Sequence, residues 1–462
     1  MCIVLTCMRA LQGVTSEWIC EFGRSHFIDD FTPPLEAGVR TLPPSLGDWR
    51  PPQVYTWEPA LQRLTERTPH GEPLLNATLG MRSAGAAGDL VLLGGPNLGA
   101  NFRGGAGSAI VLFAFRASNG DFLGAKAFPE FSNIRRWYTW APPPGDKAAS
   151  KQAAPQLFTA VRAVQGPRGR VLRWTGTPAA PFTYEEVGTL TEEGGYITGH
   201  AGRLFVSTWS DSSWTQLAGV WMSPPLGGRT GLDASDATSW TKVFSMDAYD
   251  PDDVVATSQY FGALQSFGRY LYVGTMTVPF TGAAAHMARR GAAASAVGIA
   301  NAARGVAVFR GAGFGTPQQR FELLYGERYL PAWNGLAWVP TRTKLNPPLW
   351  GRSGFGNPWN TYIWSAETHR GRLYMGTYDW SVSAQAAGVR GAEGAAAGHG
   401  ADLWRFDDTA SPAVAECVDG CGNPANFGIR NMVCDRNATL YVGTANPMNR
   451  LANGGWELQA FT

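Results

Sequence analysis

Apolar residues alternate with polar ones in short runs along most of this chain, and the runs stop at Gly, Pro, Asn or Asp. Alternation over a few residues between turn formers is the pattern of half-buried β-strands joined by tight connections. One run recurs in four close copies: Leu204-Phe205-Val206-Ser207-Thr208, Leu271-Tyr272-Val273-Gly274-Thr275, Leu373-Tyr374-Met375-Gly376-Thr377 and Leu440-Tyr441-Val442-Gly443-Thr444. Two weaker copies precede them, Val91-Leu92-Leu93-Gly94-Gly95 and Leu157-Phe158-Thr159-Ala160-Val161. Self-similarity of this kind dictates a radial or stacked repeat.

Marking each copy by its second residue gives intervals mostly near roughly 67 residues, too long for a solenoid turn and suited to a four-stranded propeller blade with loop insertions. The other strands are legible around each copy. A half-polar run precedes it, as in Ile134–Trp137, Tyr260–Leu264, Tyr362–Ser365 and Phe427–Met432. A third strand follows at 110–115, 171–174, 219–222, 306–310, 403–406 and 456–461, and a fourth at 123–128, 184–187, 240–244, 320–325 and 414–418. The last repeat ends after its third strand, so the N-terminal part is expected to supply an outer strand that covers the open edge, from Gln53–Trp57 or Leu74–Leu79. The expectation is an all-β, six-bladed propeller of four-stranded antiparallel blades closed by an N-terminal strand, with seven blades as the alternative. Residues 1–50, punctuated by proline, read as an irregular segment ahead of a single domain over 51–462. Two Ala/Gly-rich inserts, 282–304 and 384–400, read as loops.

Composition narrows the partners. The 462 residues carry a formal charge of +2 with 16% charged residues, which is no footprint for nucleic acid or an anionic membrane. A small polar ligand or glycan, bound by a monomer, fits better. No run approaches the roughly 18 apolar residues that span a bilayer. The start, Met1-Cys2-Ile3-Val4-Leu5-Thr6-Cys7-Met8-Arg9, lacks a basic stretch before its apolar run and a clean cleavage site, so a signal peptide is not expected and the compartment stays open. Cys2, Cys7 and Cys20 lie near one end and Cys417, Cys421 and Cys434 near the other, compatible with buried thiols or with a bridge between the two groups.

The recurring Gly-Arg-Leu-Tyr-x-Gly-Thr strand, the Leu403-Trp404-Arg405-Phe406-Asp407 strand after one copy, and the end Gly443-Thr444-Ala445-Asn446-Pro447 with Gly454-Gly455-Trp456-Glu457-Leu458 resemble β-propeller proteins with repeats of this type. The resemblance covers roughly residues 86–462. It implies the fold and no particular reaction, since propellers host hydrolases, lyases, oxidoreductases and binding scaffolds.

No compact catalytic signature is present, so a site must be assembled from separate blades. Just past the repeated strands stand Asn97, Ala163, Ser210, Thr277, Asp379 and Asn446, most of them with a side-chain oxygen. The inter-blade loops add Arg135, Arg136, His200, Asn360, Tyr362, Asn426 and Arg430. Arg136 and Arg430 open inner strands, where a guanidinium grips a carboxylate or sulfate bidentately. Trp209 and Trp380 flank the polar turns and suit a sugar platform. Glu367, Asp379 and His200 are the candidate acid–base groups. Asp247, Asp250, Asp252 and Asp253 are candidate oxygen ligands for Ca2+, set against a solvated acidic turn. The leading expectation is a propeller that binds carbohydrate or another neutral polar ligand through Arg136, Trp209, Asp379, Trp380, Arg430 and Asn446. The alternatives are a divalent-cation-dependent hydrolase or lyase on the same face, and a protein-interaction scaffold.

Overall fold

The computed structural model describes residues 2–6, 17–22, 52–58, 61, 63–78, 80–97, 109–141, 155–211, 213–226, 231–291, 298–381, 400–435, 439–445 and 457–461. Two compact units divide the chain: Met1–Leu204 with Ser223–Trp240 and Arg430–Thr462, and Phe205–Met222 with Thr241–Ile429.

Strands in the first unit form antiparallel sheets in chain order. β1 (Cys2–Thr6), β2 (Glu17–Phe22), β3 (Gln53–Glu58) and β4 (Arg63–Glu66) make one, and a short helix α1 (Pro73–Asn76) follows. β5 (Ser83–Ala87), β6 (Leu90–Pro96), β7 (Ile110–Arg116) and β8 (Phe122–Phe128) make the next. β9 (Phe131–Trp140), β10 (Gln156–Ala163), β11 (Gly169–Trp174) and β12 (Tyr184–Leu190) make another. β13 (Glu193–His200) lies beside β9 and β10. In the second unit β14 (Arg203–Trp209, from Phe205 on) pairs with β15 (Gly219–Met222), and β15 with β16 (Thr241–Ser245). After helix α2 (Asp253–Thr257) come β17 (Gln259–Phe267) and β18 (Tyr270–Thr277), then helices α3 (Thr281–Arg290) and α4 (Gly298–Ala302). β19 (Val308–Ala312) and β20 (Arg320–Tyr325) complete that sheet. A hairpin of β21 (Tyr329–Trp333) and β22 (Trp338–Arg342) precedes the sheet of β23 (Asn360–His369), β24 (Arg372–Asp379), β25 (Leu403–Phe406) and β26 (Val414–Cys417). β27 (Gly428–Cys434), which belongs to the first unit from Arg430 on, and β28 (Leu440–Ala445) and β29 (Leu458–Phe461) of that unit follow in order. The fold is all-β, and these four-stranded antiparallel sheets are those of a β-propeller.

Each letter of the repeated motif has a physical duty. Leu204, Leu271, Leu373 and Leu440 are fully buried in the sheet cores. The glycine leaves room for the next sheet's inner strand. A Cβ on Gly274 would stand 2.2 Å from the Cβ of Ile363, and one on Gly376 would stand 2.4 Å from Cγ2 of Ile429. The threonine ties the following connection. Thr208, Thr275 and Thr377 each accept, through Oγ1, the backbone N–H of Gly219, Ala307 and Asp402 at 2.8 Å. Buried N–H groups at the entry to each third strand are thereby satisfied without a regular ladder partner.

Three expectations need correction. The segment 1–50 contains two strands, β1 and β2, and Gln53–Trp57 pairs with β2 and β4 instead of covering β29. Leu74–Leu79 begins in a helix that Glu72 caps through Leu74 N–H at 3.0 Å. The insert 282–304 carries α3 and α4, whose Ala283 and Ala302 pack with Val255 of α2 and with Trp338. Alanine is the best helix former, so a segment that looks like a featureless loop by hydrophobicity folds once a packed face is available. The insert 384–400 lies almost wholly outside the described residues.

Candidate functional site

Three arginines from separate strands gather in the first unit. Arg82 stands just ahead of β5, Arg135 lies in β9 and Arg430 in β27, with relative exposures of 3%, 7% and 3%. Arg82 Nη1 donates to Asn133 Oδ1 at 3.2 Å. Burial first, then the positive charges of Arg135 and Arg430, press the Arg82 guanidinium well below its ordinary range. Like charges held together out of water are costly, and an oxyanion among them reverses the sign of that interaction. The buried carboxylate of Glu193 on the neighbouring β13 pairs with Arg162 Nε at 2.8 Å.

Sequence reasoning chose Arg136 and Arg430. Arg430 is in the cluster, whereas Arg136 is half-buried and its neighbour Arg135 takes the inward place. The reason is a register shift between Thr159 and Val161 opposite this part of β9, which breaks simple alternation. Arg82 was missed because β5, Ser83-Ala84-Gly85-Ala86-Ala87, has too little hydrophobic contrast to read as a strand. Its only signal was a lone arginine before a run of small residues.

The second unit holds a different polar cluster. Asn360 faces Asp379 across the β23–β24 register, and its Nδ2 donates to Asp402 Oδ2 at 2.6 Å. Trp404 Nε1 donates to the same oxygen at 3.1 Å. Asn360 Oδ1 accepts from Thr377 Oγ1 at 2.9 Å. Asp379 accepts Ser381 N–H at 2.6 Å and Asn357 Nδ2 at 3.2 Å. Asp379 and Asn360 are fully buried and Asp402 nearly so. Burial pushes the Asp402 carboxyl up to about 7; the hydrogen bonds from Asn360 and Trp404 oppose this, and the charges of Asp379 and Asp419 add to it.

The aromatic candidates separate. Trp380 is 2% exposed, with its ring centroid 5.5 Å from that of Tyr378, so it is core and not an open sugar platform. Trp209 is half-buried, donates Nε1 to Phe261 O at 3.0 Å and lies 5.7 Å from the Tyr260 ring. Asn446 lies outside the described residues. Burial holds His200 down at about 4, so this imidazole is neutral at physiological pH. Glu367 is half-buried on β23, with Oε1 accepting Thr368 N–H at 3.0 Å.

The acidic run has internal partners. Asp250 pairs with Arg304 Nε at 2.7 Å and Gln259 Nε2 at 2.6 Å. Asp252 caps α2 through Val254 and Val255 N–H, accepts Trp333 N–H at 2.8 Å and meets His286 Nε2 at 2.9 Å. Burial raises the Asp252 carboxyl, but His286 and the backbone donors prevail and hold it at about 2. Asp247 accepts from Ser245 Oγ, and exposed Asp253 pairs with Arg290 at 2.5 Å. These carboxylates fasten α2, α3 and the β21–β22 hairpin together. Among the described residues no three His, Cys, Asp or Glu side chains group as metal ligands. No helix of the described residues is long and apolar enough to cross a membrane. Cys417 and Cys421 are joined by a disulfide.

No protein-family model matches the chain. No curated protein matches it either. Among solved structures, the chain is similar to the extracellular domain of a putative hybrid two-component system from B. thetaiotaomicron, at 10% identity and a TM-score of 0.45, over 99% of this chain and 38% of that one. A hypothetical selenium-binding protein from Sulfolobus tokodaii is similar at 8% identity and a TM-score of 0.44, over 90% and 87% of the two chains. The β-propeller domain of the Trilobed protease from Pyrococcus furiosus is similar at 8% identity and a TM-score of 0.39, over 100% and 96%.

Proposed function

We propose that the protein binds a small polar ligand bearing an oxyanion, a carboxylate or a sulfate, seated on Arg82, Arg135 and Arg430. The observation that carries this reading is the convergence of three buried guanidinium groups close enough for Arg135 and Arg430 to act on Arg82. Arginine suits the role because its planar fork meets both oxygens of such a group and stays charged when desolvated. Three guanidinium groups gathered together favour a ligand that brings negative charge, so an acidic or sulfated sugar fits better than a neutral one. We also read β1–β4 as a blade of its own, since it has four strands and β3 takes no part in the β27–β29 sheet. That favours seven blades over six.

Titration calorimetry of the full chain against hexuronates, sulfated sugars, simple dicarboxylates and neutral sugars tests the reading. An oxyanion-bearing compound binds, and Arg430→Met weakens it by roughly 30-fold or more, the loss expected when one partner of a buried charge pair is truncated. Neutral sugars binding as tightly as their acidic counterparts, or unchanged affinity in folded Arg430→Met, would sink it.

A further inference from the structure

Asp402 carries an open oxygen in the second unit. Its Oδ2 takes two hydrogen bonds, while its Oδ1 is buried and has no hydrogen-bond partner. Buried oxygens of an ionised carboxylate are expensive to leave unmatched. Adjacent Asp379 makes matters worse, because a second carboxylate stands in the same cluster around Asn360.

Two species can occupy the open oxygen. A proton on Oδ1 makes it an O–H donor, which then needs an acceptor of its own. A hard cation needs only oxygen lone pairs, and the cluster offers them on both carboxylates and on neutral groups such as the Asn360 and Thr377 side chains and the Gly354 carbonyl. Two carboxylates balance a doubly charged ion. We therefore propose that Asp379 and Asp402, completed by neutral oxygens around Asn360, form a binding site for a Ca2+-like divalent cation. It differs from the acidic run at 247–253, whose carboxylates are engaged by Arg304, His286, Ser245 and Arg290.

Terbium titration of the full chain after dialysis against a chelator provides the test. Trp404 touches Asp402, so ultraviolet excitation should give saturable Tb3+ emission that Ca2+ displaces. Asp402→Asn, close in shape, should weaken binding at least ~10-fold through loss of ligand charge. Trp404→Phe should dim the emission, because the indole in contact with Asp402 is removed. Absence of saturable emission, or equal affinity in folded Asp402→Asn and Asp379→Asn, would overturn the proposal and leave Asp402 as a buried protonated acid.

Discussion

Gly376→Ala isolates the interlock between successive sheets. The added Cβ would lie 2.4 Å from Ile429 Cγ2, 2.5 Å from its Cβ and 3.0 Å from Ser365 Oγ, all within one compact unit. Ile429 is fully buried, and Ser365 Oγ donates to its carbonyl at 2.8 Å, so neither neighbour can step aside cheaply. Overpacking of this kind costs roughly 1–3 kcal/mol. Removing a glycine's freedom in the unfolded chain returns about 0.4–1 kcal/mol. The net loss is about 1–2 kcal/mol, a fall of roughly 2–8 °C in Tm for a unit of this size. Gly71→Ala is the control, since nothing lies within 4 Å of its added Cβ, and it should leave Tm unchanged or slightly raised. Thermal and urea unfolding followed by tryptophan fluorescence reads both. An unshifted midpoint in Gly376→Ala would refute the claim that the motif glycine is kept for the approach of Ile429.

Other outcomes follow from the same geometry. Trp380→Ala should unfold or strongly destabilise the protein, by about 3–5 kcal/mol, because it opens a large core cavity; near-native stability by calorimetry would contradict its burial. His200 has a folded pKa of about 4, below the ordinary 6.5, so its neutral form is favoured in the fold and stability is retained above pH 6.5 and lost as pH falls towards 4. That loss is on the order of 3 kcal/mol, and His200→Gln should flatten the acid limb of a stability–pH curve, an unchanged limb being the contrary result. Reducing Cys417–Cys421, or replacing both by Ser, should cost about 2 kcal/mol for so short a closed loop; identical unfolding curves with and without reductant would count against it.

Strand content was legible in the sequence because half-buried strands leave a period of two, and the Leu-x-x-Gly-Thr copies aligned themselves. Simple side-chain alternation fails where a bulge intervenes, as at Arg135 and Arg136, since two residues then oppose one. It fails again at β5, where small residues give no contrast. Charge runs show carboxylates but not their distant partners. Asp250 and Asp252 look like ligands, yet their partners Arg304 and His286 lie 54 and 34 residues further on, beyond any local pattern. Asp402 gave no signal, because its significance depends on burial and on Asn360 reaching it from another strand.

Arg82→Met tests the central claim most directly, since it separates a ligand-binding arginine from a structural one. The account predicts that the unliganded variant stays folded, because removing one of three like charges relieves the repulsion among the guanidinium groups. Affinity for the oxyanion-bearing ligand should fall in the same preparation. A variant that loses several kcal/mol of stability and binds that ligand unchanged would contradict the account, and would make the three arginines supports of the fold.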